Sequence, residues 1–296
     1  MPNVTASASG KVILLGEHAV VYGVPAIAAG LSRGARARAR PATSSRLSIG
    51  TSHFSPGDES DLGRAFGALV SELGAGACEV ELEVDLPVGA GLGSSAAMAV
   101  AAARAVIGIE GGSDDARVMA AATAWERVFH GNPSGIDTAA AAHGGCIWFT
   151  RAEGATPIAL GAPLCLAIAV AAPPASTKAM VESVARLRER RPTVVEKALE
   201  GIRSLVKNAK LALEAGDVPG LGGLLDLNHM ILAGLHLSTE ELESARQIAR
   251  EAGALGAKLT GAGGGGSVVA LCDRDAEPVL QAWRDKGIEC FGASVT

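Results

Sequence analysis

The chain has 296 residues, room for one large domain or two. With 48% apolar residues and a net charge of −5, it is neither a disordered chain nor a broadly basic nucleic-acid binder. Five scattered cysteines include no C-x-x-C pair, so the sequence suggests neither a zinc site nor a disulfide framework and fits a reducing compartment. Lys11, Glu17 and His18 interrupt the first apolar run, so the N-terminus lacks the shape of a signal peptide. The most apolar helical stretch, 96–109, contains Arg104 and is too short to span a bilayer. A cytoplasmic protein with no membrane or nucleic-acid partner is expected.

In chain order, residues 11–15 predict a buried strand that ends at Gly16. Arg36, Arg38 and Arg40 alternate with alanine and predict a strand with one basic face, read as a solvated face rather than a polyanion site. Residues 79–86 alternate Glu79, Glu81, Glu83 and Asp85 with Val80, Leu82, Val84 and Leu86, a strand with one wet and one buried face. Helices are predicted over 95–107 and 115–129, and a short one near Asp137. Residues 164–170 read as a buried strand and 176–191 as a helix. Thr193 and Glu196 have capping-box spacing and open a long helix with Val195, Ile202, Val206 and Ala209 on one face. A helix over 238–252 stops at Gly253, strands cover 257–260 and 267–272, a helix covers 275–286, and 288–295 is a last strand. Setting the extra helices aside, this order is β-α-β-β-α-β, the ferredoxin-like arrangement. A domain boundary is expected near 150–160, giving domains 1–155 and 156–296.

Three segments carry candidate chemistry. Pro87-Val88-Gly89-Ala90-Gly91-Leu92-Gly93-Ser94-Ser95-Ala96 lies between a strand and a helix. Glycines admit a ligand close to the backbone, and a helix N-terminus adds partial positive charge, which together suit phosphates. A tight turn with a serine cap explains the same residues, and a dinucleotide-binding turn is a rival that the acid-studded strand before the loop disfavours. Lys11 at a strand start, with Glu17 and His18 after its end, suits a transferring phosphoryl group and a hydroxylated acceptor; a polar hairpin turn is the alternative. Glu126 and Asp137 suit a metal ligand and a base, yet Ser134 to Asp137 also has capping-box spacing, and Glu126 also fits an exposed helical carboxylate.

Gly10-Lys11 through Gly16-Glu17-His18-Ala19-Val20-Val21-Tyr22-Gly23, the loop at 87–96 and Lys258 through Ser267 resemble, in order, the three motifs of the GHMP kinases. The stretch from Gly16 to Gly23 is most similar to the mevalonate kinase branch. The resemblance implies a two-domain α+β fold: an N-terminal mixed α/β domain and a C-terminal ferredoxin-like domain with added helices, the active site in the cleft between them. It implies ATP-dependent phosphorylation of a primary hydroxyl, that of mevalonate in this branch, with Mg²⁺ held by Ser95 and Glu126. Asp137 is then the base, Lys11 stabilises charge at the transfer site, and Glu17, His18 and Thr177 bind the acceptor, while His130 is structural. Another acceptor within the family and a catalytically silent nucleotide sensor are the rival readings. A homodimer is among the assemblies the resemblance allows. His229, on an apolar helix, reads as a packing histidine.

Overall fold

The computed structural model describes residues 3–87, 89–131 and 133–296; Val88, inside the glycine loop quoted above, and Asn132, between Glu126 and Asp137, lie outside the described residues. Strand β1 (Val4–Leu15), a single 3-10 turn (Ala19–Tyr22) and β2 (Ala26–Pro41) come first, then β3 (Arg46–Ile49), β4 (Ser52–Phe54), α1 (Asp61–Leu73) and β5 (Cys78–Val84). Next are α2 (Ser94–Ile109), α3 (Asp115–His130), α4 (Ile136–His143), β6 (Cys146–Thr150) and β7 (Gly154–Ile158). The remainder runs β8 (Leu164–Ala172), α5 (Thr177–Arg190), α6 (Pro192–Ala215), α7 (Val218–Gly234), α8 (Glu240–Glu251), β9 (Gly256–Thr260), β10 (Gly266–Cys272), α9 (Glu277–Arg284) and β11 (Glu289–Val295). These elements form two compact units. One comprises Met1–Gly10, Arg33–Val88 and Gly93–Gly144, the other Lys11–Ser32, Gly89–Leu92 and Gly145–Thr296.

In the first unit the later half of β2 pairs antiparallel with β5, placing Arg36 opposite Glu83, Arg38 opposite Glu81 and Arg40 opposite Glu79. The basic stripe and the acidic stripe therefore neutralise one another. Arg38 lies 3.3 Å from Glu83, and Arg46 of β3 joins Glu79 at 2.8 Å. Exposed pairs of this kind contribute about 0–1 kcal/mol each, so their main effect here is on register. On the opposite face Ala37, Ala39, Val80 and Leu82 share one core with Phe66 of α1 and Trp125 of α3. Helix α2 is buried on nearly every side, and its alanines let the surrounding elements approach closely.

In the second unit β8, β9, β10 and β11 form an antiparallel sheet in the order β11-β8-β10-β9. With α8 and α9 packed on it, this is the expected ferredoxin-like arrangement. Helices α5, α6 and α7 are inserted before α8; α7 lies against β9, and α6 packs on both α5 and α7. The long helix α6 is where the pattern placed it, but the capping box is not formed. Pro192 occupies the first turn, which suits its fixed φ, and Thr193 follows it inside the helix. Glu196 pairs instead with Arg188 of α5 at 2.6 Å. The early part of β2 pairs with β6, and β6 with β7.

Candidate active site

In the second unit, Lys11 holds the glycine loop by its carbonyl side. Its backbone N–H donates to Leu92 O at 2.8 Å and its ammonium to Gly91 O at 3.1 Å, while Ser267 Oγ donates to Ala90 O at 2.8 Å. Three successive carbonyls are thereby used inside the protein. Along the loop φ is +77° at Gly89, +76° at Gly91 and +74° at Gly93, and negative at Ala90 and Leu92. That alternation of hand turns backbone N–H groups toward a common anion, and only glycine takes the positive φ without strain. Gly93 is itself the residue that begins α2, so the serine-cap reading fails: Ser94 and Ser95 are already helical, and no side chain caps the helix.

In the first unit, Ser95 donates to Glu126 Oε1, and Trp125 Nε1 donates to Ser95 Oγ at 3.2 Å. Glu126 is only 2% exposed, and His130 Nε2 stands 3.7 Å from its second oxygen. An exposed helical carboxylate is excluded. The Ser95 hydroxyl at the start of α2 and the buried Glu126 carboxylate late in α3 are hard oxygen donors. Among the described residues no three His, Cys, Asp or Glu side chains converge. The donor set therefore fits Mg²⁺, which accepts one or two protein ligands plus phosphate oxygens and water, and does not fit zinc. Asp137 is the second residue of α4, which starts after Gly135 at φ +88°. Ser134 Oγ accepts from Ile136 N at 3.4 Å. The register is one residue short of a capping box, so Asp137 is not a box partner of Ser134.

After β1, Glu17 and His18 are buried, 1% and 6% exposed. His18 Nε2 meets Ala262 O at 2.8 Å. A carbonyl only accepts, so Nε2 carries the proton and Nδ1 is left as an acceptor. Burial pushes the His18 pKa below its usual value, with the bond to Ala262 opposing. Glu17 receives hydrogen bonds from Lys258 Nζ and, at 3.2 Å, from Asn228 Nδ2. Lys258 is fully buried and also donates to Leu259 O at 2.6 Å. Sequence reasoning quoted Lys258 within a motif but gave it no role; a lysine in a strand flanked by buried residues is the signal that marks it. Thr260 Oγ1 accepts from Ile13 N at 2.9 Å and fixes β9 beside β1 within this unit.

The run 261–266 links β9 to β10. A Cβ on Gly265, at φ +120°, would sit 2.2 Å from Pro173 O, so no larger residue fits there. Thr177 is exposed at the start of α5; Ala175 just before this helix and Met180 within it pack on Gly264. His229 is the packing histidine anticipated: Leu259 N donates to its Nδ1 at 3.2 Å, and its Nε2 donates to Glu243 at 2.8 Å.

Burial also lowers the His229 pKa. For both His18 and His229 the unfolded chain binds the proton first as pH falls. Their contribution to stability is complete above the ordinary value of 6.5 and is lost as pH drops through it toward the lower folded-state pKa. Stability, and Tm with it, should fall as pH drops below about 6.5, by up to about 1.4 kcal/mol of stability per pH unit for each histidine. His229→Gln should give a shallower fall in a thermal melt series, and an unchanged slope would contradict the assignment.

Residues 61–145 match the GHMP kinases N terminal domain and residues 209–289 match GHMP kinases C terminal. A mevalonate kinase of Thermococcus gammatolerans is 34% identical over 94% of this chain and 92% of its own length. One of Pyrococcus horikoshii is 35% identical over 96% and 93%. The crystal structure of L. major mevalonate kinase in complex with R-mevalonate superposes with a TM-score of 0.87 at 29% identity, covering 100% of this chain and 96% of that one. Its two glycine runs, its β-α-β-β-α-β unit and these near-full-length relatives have one explanation: the chain belongs to the GHMP kinase family.

Proposed function

We propose that this protein is a cytoplasmic mevalonate kinase, transferring the γ-phosphate of ATP to the primary hydroxyl of mevalonate to give 5-phosphomevalonate. The observation that carries the kinase reading is a glycine loop of alternating hand running directly into α2, whose Ser95 is hydrogen-bonded to the buried Glu126 of α3. The likeness to mevalonate kinases over nearly the whole chain supports the acceptor.

In this reaction the acceptor oxygen forms its bond to the γ-phosphorus as the bond to the bridging oxygen of ADP breaks, and Asp137 takes the hydroxyl proton. Residues Pro87, Gly89, Ala90, Gly91, Leu92, Gly93, Ser94, Ser95 and Ala96 form the ATP loop, whose amides and helix N-terminus stabilise the phosphates. Lys11 neutralises charge on the transferring group, and its bond to Gly91 O couples it to the loop. His18 offers Nδ1 to an acceptor hydroxyl, with Glu17 and Thr177 completing the acceptor side. Ser95 and Glu126 hold Mg²⁺, which when bound neutralises phosphate charge. Free cysteines are compatible with the reducing cytoplasm, and among the described residues no helix is long and apolar enough to cross a membrane.

An acceptor screen tests the reading: ADP formation with mevalonate, phosphomevalonate, galactose and homoserine. Turnover should be restricted to mevalonate; turnover of another alcohol with mevalonate inert would contradict it.

A further inference from the structure

Glu17 and His18 form a tight turn of an uncommon kind. Ala19 N donates to Glu17 O at 2.6 Å, closing a three-residue turn with His18 at its centre. The central φ is +58° and ψ is −43°. This is the γ-turn of positive φ, the rarer and strained form, and a side chain with a Cβ does not adopt it unless its surroundings impose it. Two anchors impose it. The imidazole is tied to Ala262 O, and the carboxylate of Glu17 is tied to Lys258 and Asn228. Lys258 comes from β9, 241 residues away, and its Nζ also bonds Leu259 O.

A fully buried ion pair is a poor source of stability. The cost of removing two charges from water is of the order of their attraction, and apolar replacements of both partners are frequently neutral. A pair retained at such a place has a different use. Its position, directly beneath a strained turn that presents His18, identifies that use. We propose that Lys258 is a positioning residue: through Glu17 it holds the γ-turn that aims the His18 imidazole at the acceptor alcohol. The proposal rests on the reading of His18 as an acceptor-binding residue. It assigns to Glu17 the task of holding the turn, and to the lysine of the third glycine motif a task on the acceptor rather than the nucleotide.

The test compares wild type with Glu17→Gln/Lys258→Met, which removes both buried charges at once, and with Lys258→Arg, which keeps the charge but not the shape. Initial rates are measured while mevalonate and ATP are varied separately, alongside thermal melts. Wild-type turnover of mevalonate establishes the activity by itself; if a different alcohol is the acceptor, the same comparison is made with that alcohol, so the two ideas fail separately. The double variant should melt within a few degrees of wild type, yet its KM for the acceptor should rise by about ten- to a hundredfold, with KM for ATP changed by less than about threefold. Adding His18→Ala to the double variant should raise that KM little further, because the same interaction has already been lost. Lys258→Arg should show a smaller rise of the same kind. Folded variants with wild-type acceptor KM, or an equal rise in both KM values, would overturn the proposal.

Discussion

Asp137→Asn is expected to lower kcat by about 10²–10⁴-fold, the range for loss of a general base, with little change in KM for ATP. The substitution keeps the size of the side chain and removes its ability to accept a proton. Asp137 does not close a capping box, and α4 begins after Gly135 without a side-chain cap, so the carboxylate is not needed as a cap. A thermal melt taken alongside shows that the variant is folded while turnover collapses. A variant with wild-type kcat would remove Asp137 from the mechanism, and ATP binding without turnover in the wild type would favour the nucleotide sensor.

Glu126→Gln carries the second large effect. Glu126 is buried on α3, Ser95 donates to its Oε1, and His130 Nε2 stands 3.7 Å from its second oxygen. A neutral amide of the same shape offers a bound cation a weaker ligand than the carboxylate. Activity should fall by about 10²–10³-fold, the scale for losing one electrostatic stabiliser of the transferring group, and the Mg²⁺ concentration for half-maximal rate should rise. Rates titrated with Mg²⁺ decide the matter. An unchanged Mg²⁺ requirement with normal turnover would show that the carboxylate holds no metal.

The reach of sequence reasoning follows the range of the interactions involved. The alternations at 35–40 and 79–86 are local, and both strands formed with the expected wet and buried faces, though β5 ends at Val84, before Asp85 and Leu86. That the two stripes face each other depends on strand pairing, which no single segment contains. Helix α2 and the ferredoxin-like order were readable because helical and strand periods are short-range properties. Helix α1 was not anticipated, although Ser60 caps it and Phe66, Leu69 and Leu73 lie on its buried face. Both proposed capping boxes had the right spacing and neither formed. At Ser134 the positive φ of Gly135 moved the start of the helix by one residue, and at Thr193 the preceding proline took the first turn. Ser95 and Glu126 were named from a family resemblance, and the structure adds that a hydrogen bond joins them within one unit. Lys258 shows the limit most plainly: its partner lies 241 residues earlier, and a sequence pattern does not contain that contact.

The central claim is phosphoryl transfer from ATP to mevalonate, and identification of the product tests it most directly. Purified protein is incubated with ATP, Mg²⁺ and mevalonate and followed by phosphorus NMR. A phosphomonoester on the primary oxygen of mevalonate, growing one-to-one with ADP, is the predicted result. ADP accompanied by inorganic phosphate without the ester, or ATP left intact in the presence of mevalonate, would contradict it.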